Sequence, residues 1–178
     1  MDGRKMFQGN YSDGQPSGMG RGWSQNGESY EGPWKNGQPH GEGKVYDRNT
    51  GKVLYYGTVV NWLPDGQGKL LSPDGNTMYQ GSMQKGRRHG KGTGVWPFPA
   101  PVPENTAPNH VQEHVQERLR FRGTWVHDVP QGKGVLLDDQ DRERHVGTWL
   151  DGKMHGKGVH TYADGATFTG EWVQGTKN

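Results

Sequence analysis

The sequence contains no cysteine. That excludes a disulfide framework, a thiolate nucleophile and a cysteine-bound metal, and it fits a reducing compartment. It has no apolar run of about 18 residues, so no segment is expected to span a membrane. Its opening, MDGRKMFQG, lacks the apolar centre of a secretory signal, and none is expected. Neither charge dominates: 21 Lys and Arg stand against 19 Asp and Glu, a net of +2. Charge therefore gives no ground for a nucleic-acid partner, and none is expected. Apolar residues make up only 28% of the chain, and the mean hydropathy is −1.08. A thick globular core is not expected from such a composition.

Glycine and aromatic rings are what the chain does have, and they recur in register. There are 31 glycines, seven Trp, seven Tyr and four Phe. A leading glycine falls at Gly9, Gly32, Gly57, Gly81, Gly123, Gly147 and Gly170. A Gly-x-Gly pair begins nine residues after each of the first six, at Gly18, Gly41, Gly66, Gly90, Gly132 and Gly156. A ring commonly precedes the leading glycine by two residues, and Trp commonly follows it by two, as in Phe168-Thr-Gly170-Glu-Trp172. Self-similarity at this period marks a repeat protein. Each repeat covers its neighbour, so a thin core is enough.

The repeat reads as a β-hairpin joined to the next by another hairpin turn. Asn26-Gly27, Asp74-Gly75 and Asp164-Gly165 are tight-turn signals in which both central residues accept positive φ, and Thr50-Gly51 takes that place in the second repeat. Short alternating segments such as Ser29–Trp34 read as strands of about five residues. The expected fold is all-β, an elongated single-layer antiparallel meander of roughly fourteen strands. Glycine inside the strands gives neighbouring rings a flat backbone to cover. Residues 1–6 are a short lead, 7–96 hold repeats one to four, and 119–178 hold repeats five to seven, the last partial. All form one continuous repeat domain.

The segment Tyr30-Glu-Gly32-Pro-Trp34-Lys-Asn-Gly37-Gln-Pro-His-Gly41-Glu-Gly43 resembles the MORN repeat (membrane occupation and recognition nexus). The resemblance runs from Phe7 to Gly175 outside one insertion. That insertion, 97–118, starts with the proline-rich Pro97-Phe-Pro99-Ala-Pro101-Val-Pro103, which cannot be a central strand. A short helix over 109–119, capped by Asn109, is expected to follow. Some repeats depart from the pattern. Val59 and Met83 stand where others have Trp, Trp62 and Asp128 replace a turn glycine, and His145 holds a ring position.

Few residues suggest chemistry. His110-Val-Gln-Glu113-His114 matches the H-x-x-E-H of inverted zinc proteases. It lies in a tandem HVQE-HVQE with no assignable third ligand, so an enzyme is the weakest reading. The glycine pairs do not continue into a phosphate loop and read as hairpin-end glycines. His40, His89 and His155, each just before a glycine pair, read as structural turn residues. No catalytic residue, metal or cofactor is expected.

Two sets of residues are candidates for binding. Tyr30, Trp34, Tyr79, Trp125, Trp149 and Trp172 form an aromatic row that supplies the thin core, and a curved sheet could leave it partly open to a partner. Lys85, Arg87, Arg88 and Lys91, with Lys153 and Lys157, read as a solvated basic edge that keeps sheets apart or as a site for anionic lipid. The resemblance implies partners gripped as helical segments in an aromatic groove. It further implies a non-enzymatic scaffold or adapter within a larger protein assembly. Repeat-only MORN proteins of this kind occur in cytoskeletal assemblies, including the radial-spoke heads of cilia. The expected place is thus the cytoplasm, on the cytoskeleton, and in a cilium or flagellum its axoneme. The alternative is a peripheral adapter on anionic lipid.

Overall fold

The computed structural model describes residues 7–96 and 118–178. Among them there is no helix, and the chain is all-β. The strands are β1 (Phe7–Ser12), β2 (Gln15–Trp23), β3 (Ser29–Lys35), β4 (Gln38–Tyr46), β5 (Val53–Val60), β6 (Leu63–Leu71), β7 (Thr77–Gln84) and β8 (Arg87–Val95). After the insertion come β9 (Arg120–Val126), β10 (Val129–Leu137), β11 (Glu143–Leu150), β12 (Lys153–Thr161), β13 (Thr167–Val173) and β14 (Thr176–Lys177). They follow one another in chain order as an open antiparallel meander. The chain divides into two compact units, Met1–Gly90 and Lys91–Asn178. The expected helix falls on residues that lie, except for 118 and 119, outside those described.

The turns differ from the sequence expectation. The tight two-residue turns lie inside the repeats, at Asp13-Gly14, Asn36-Gly37, Asn61-Trp62, Lys85-Gly86, His127-Asp128, Asp151-Gly152 and Gln174-Gly175. There both residues have positive φ, as the right-handed strand twist favours. The links between repeats are longer. In Ser24–Glu28 the Gly27 N–H donates to the Ser24 carbonyl at 2.9 Å, and the Ser24 N–H donates to the Glu28 carbonyl at 2.8 Å. Only the fourth residue of such a link is left-handed: Gly27, Gly75, Asp141 and Gly165. Asn26, Asp74 and Asp164 therefore precede the strained position. The 47–52 link is held differently, by the Asp47 carboxylate accepting from the Asn49 and Thr50 N–H groups.

Most strands run to between six and nine residues, longer than expected, because the glycine pair lies within a strand and not at its end. In β1–β2, Gly9 faces Gly20 while Asn10 faces Ser17, so Gly18 and Met19 bulge out of that pairing. The same offset recurs in β9–β10 and β11–β12. Gly18 takes φ of 70° there, a conformation costly for any side chain with a Cβ. On the other side of β2 the register is unbroken, and Gly18 sits opposite Trp34. The nine-residue offset in the sequence is thus the distance from the leading glycine of one strand to the bulge in the next.

The second glycine of each pair faces the leading glycine across the strands. Gly57 opposes Gly68, Gly123 opposes Gly134 and Gly147 opposes Gly158. Tyr55, Phe121 and His145 lie over these three pairs in turn. The Phe121 ring covers both Gly123 and Gly134 so closely that a Cβ on either would collide with it. Glycine is required here by the approach of the ring, not by φ. The ring two residues before the glycine is therefore a packing rule.

Candidate functional site

The six aromatic candidates lie on the ring-bearing face, and all are core. Tyr30, Trp34 and Tyr79 belong to the first unit, and Trp125, Trp149 and Trp172 to the second. Their exposures range from 0 to 6%. In the first unit Trp34 meets Phe7 edge-on at 4.8 Å, Tyr30 at 5.9 Å and Trp62 at 5.5 Å. In the second, Trp125 meets Phe121 at 5.4 Å and Trp96 at 5.8 Å, and Phe121 meets Trp149 at 5.0 Å. Edge-to-face pairs of this kind contribute about 0.5–1.5 kcal/mol each beyond burial.

The phenols anchor the ring face by hydrogen bonds. The Tyr30 hydroxyl donates to the Gly41 carbonyl at 3.1 Å, and the Tyr79 hydroxyl to the Ser82 carbonyl at 2.8 Å. Burial pushes the Tyr30 and Tyr55 phenols up to about 12, so they remain donors. Sequence reasoning passed over Tyr55, Phe121 and Trp96. Tyr55 and Phe121 stand two residues before leading glycines, so the ring rule could have found them. Trp96 lies beside the insertion and follows no repeat position. Its indole N–H donates to the Gly152 carbonyl at 3.2 Å, and the ring covers that turn glycine.

His145 takes the ring position over Gly147 and Gly158. It meets Trp172 at 5.2 Å, Trp149 at 5.7 Å and His160 at 6.0 Å. It is 1% exposed, and neither ring nitrogen has a hydrogen-bond partner. Burial, and then the nearby His160, hold its pKa down to about 4. His160 is lowered as well, by burial first and then by Arg144 and Lys177. Both rings are neutral at neutral pH.

The basic candidates are divided between the units. Lys85 occupies the β7–β8 turn, Arg87 and Arg88 follow in β8, and Lys85 and Arg87 are exposed. Lys91, Lys153 and Lys157 belong to the second unit, where Lys91 and Lys157 are exposed. His40, His89 and His155 lie within β4, β8 and β12 rather than in turns, because the glycine pair after each is itself in the strand. The His110–His114 motif lies outside the described residues. Among the described residues there is no cluster of three metal-ligating side chains, and no helix is long and apolar enough to cross a membrane.

The opposite face is where the repeats differ. Paired across the strands of the first unit stand Gln8, Arg21, Glu31, Lys44, Tyr56, Lys69 and Gln80. The Arg21 guanidinium lies 4.7 Å over the Tyr46 ring, whose hydroxyl donates to Glu31 at 2.8 Å. The same row in the second unit reads Arg122, Val135, Val146, Val159 and Thr169. Sequence reasoning, drawn to the repeated rings, missed this face.

No curated protein matches the chain. The family model of the MORN repeat matches residues 7–28, 30–51, 55–77, 79–97, 121–141 and 145–167. Those six stretches cover well over half of the sequence, and their hairpins are the ones described above. Beyond them, Phe168, Gly170 and Trp172 on β13 repeat the ring, glycine and indole positions once more. The chain belongs to the MORN-repeat family.

Proposed function

We propose that this chain is a non-enzymatic binding scaffold, a subunit that holds other proteins within a cytoskeletal assembly. The observation that carries this reading is the division of labour between its faces. The ring face repeats ring, glycine and indole in both units and is consumed by the fold. The opposite face varies from repeat to repeat, with Glu31, Tyr56, Arg122 and Val146 at one equivalent position. Variable residues on a uniform frame are what a repeat scaffold offers to partners. The resemblance to repeat-only MORN proteins favours a cytoskeletal place, with the ciliary axoneme as its most specific form. Crosslinking in the native cell, followed by mass spectrometry, tests this. The expected result is crosslinks from the variable face to subunits of one cytoskeletal complex. A soluble, unassociated monomer in native fractionation overturns it.

A second reading rests on the exposed cations among its basic candidates, Lys85, Arg87, Lys91 and Lys157. A peripheral adapter on anionic lipid would use them, each contributing about 1 kcal/mol near the surface. Sedimentation with acidic and neutral vesicles separates the two: no preference for acidic vesicles removes the lipid adapter.

A further inference from the structure

The second unit carries an apolar surface that its fold does not require. Val135 pairs with Val146 and Val146 with Val159 on three successive strands, β10, β11 and β12. Neighbouring strands lie about 4.8 Å apart, so the three side chains form a row across the strands. Val146 is 42% exposed and Val159 39%. Three further exposed aliphatic residues lie on the same face nearer the turns, on alternate strands: Val126 at 37% on β9, Leu150 at 40% on β11 and Val173 at 44% on β13. The equivalents of the valine row in the first unit are Arg21, Glu31, Lys44 and Lys69, so this frame accepts charge at those positions. Valine here is a choice of this unit and not a demand of the fold. An exposed apolar patch rimmed by polar residues marks an interaction surface.

The charged residues beside the valine row select the kind of partner. Lys133 faces Thr148, and Lys157 faces Glu171. Lys153 faces Leu150 on the neighbouring strand. Arg122 pairs with Glu143 at 3.2 Å, while the Asp151 carboxylate accepts from the neutral Gln131 amide at 2.8 Å and keeps its charge. Of these three lysines, Lys157 alone has a carboxylate opposite. The face therefore presents one aliphatic row flanked by Lys133, Lys153 and Lys157, which outnumber the carboxylates of Glu171 and Asp151. We infer that this face of the second unit docks an acidic segment of a partner protein whose aliphatic side chains alternate with carboxylates. The inference rests on the scaffold reading above and names one of its surfaces.

The test uses the full chain and two synthetic peptides of equal length, one Leu/Glu amphipathic and one its Leu/Lys counterpart. Binding is read by fluorescence anisotropy across a salt series. Two double variants probe the face. Val146→Thr with Val159→Thr keeps the branched shape and strand propensity while removing the apolar contact. Lys133→Gln with Lys157→Gln removes the charge. The expected result is binding of the Leu/Glu peptide that weakens with salt and drops at least about tenfold in either double variant. Melting temperatures should remain within a few degrees of the wild type. Equal affinity for the Leu/Lys peptide overturns the inference, as does Leu/Glu binding that survives the valine variant. Two further results also overturn it: binding to acidic vesicles but not to the Leu/Glu peptide, or self-association lost on changing Val146 and Val159. If the inference fails while native crosslinks still reach partners through other residues, the scaffold reading stands. If both fail, the scaffold reading falls too.

Discussion

The indole N–H of Trp34 donates to the Gly20 carbonyl at 3.1 Å, reaching from β3 back to β2. Trp125 makes the same bond to Gly92. Trp149 and Trp172 occupy the same repeat position and are as deeply buried, yet their indole nitrogens have no partner. One repeat position thus carries two energetic states. Trp34→Phe should cost about 1 kcal/mol more than Trp149→Phe, because it alone deletes a hydrogen bond. Truncation to Ala should cost about 3–5 kcal/mol at either site through the cavity. Urea denaturation of the four variants measures this, and equal losses for the two Phe variants would refute it.

The glycine row makes a second, opposed pair of predictions. A Cβ at Gly134 would run into the Phe121 ring, and that ring is fully buried with nowhere to move. Gly134→Ala should therefore cost about 2–4 kcal/mol, on the scale of severe core overpacking. Gly165 has φ of 86° in an inter-repeat link and nothing within 4 Å of its virtual Cβ. Gly165→Ala bears only the conformational cost, about 1 kcal/mol. Thermal melts of both proteins decide the order. A Gly165 variant weaker than the Gly134 one means that φ, not ring contact, governs these glycines.

Much of this was legible in the sequence because glycine and aromatic residues repeat at fixed offsets. The offset of nine gave the hairpin, the strand count and the ring over the glycine. It did not reveal that Gly18 bulges inside β2, because a pattern of intervals does not distinguish a strand end from a strand defect. Turn chemistry misled for a related reason. Asn-Gly and Asp-Gly occur both at Asn36-Gly37, where both residues are left-handed, and at Asn26-Gly27, where only the glycine is. The dipeptide is the same, and only the flanking register separates the two. The valine row was illegible because residues such as Val146 look like ordinary strand formers until register sets them beside Val135 and Val159.

His145 predicts a pH dependence whose sign follows from its environment. Its folded pKa is about 4, held down by burial and by His160, while an unfolded histidine titrates near 6.5. Trp149 and Trp172 pack against its ring, and the charges of Arg144 and Lys177 act on His160. No carboxylate is among the groups that shift either ring. Above pH 6.5 both states are neutral and the stability is fully present. Below it the unfolded chain takes up a proton that the folded chain refuses, so stability falls progressively between about 6.5 and 4. The loss should be on the order of 1–3 kcal/mol. His145→Phe restores the ring type of the other repeats and should flatten most of that slope. Melting temperatures from pH 7.5 to 4.5 test it. An unchanged slope in the Phe variant would assign the acid sensitivity to other groups.

Trp62 sets backbone strain against side-chain packing. It sits second in the Asn61-Trp62 turn with φ of 69°, where the other first-unit turns of this kind carry Gly14, Gly37 and Gly86. A bulky residue in that conformation costs about 1–2 kcal/mol. In return its ring is half-buried and meets Trp34 edge-on at 5.5 Å. Half of a Trp side chain is about 100 Å² of area, near 2.5 kcal/mol of hydrophobic stabilisation, and the ring pair adds about 1 kcal/mol more. Packing therefore exceeds strain. Trp62→Gly should destabilise the protein by about 2 kcal/mol although it installs the residue that the turn geometry favours. Near-ultraviolet circular dichroism should report a changed Trp34 environment, while far-ultraviolet strand content stays constant. A Trp62→Gly protein more stable than the wild type would mean that turn strain outweighs the packing and that Trp62 is held for something other than covering Trp34.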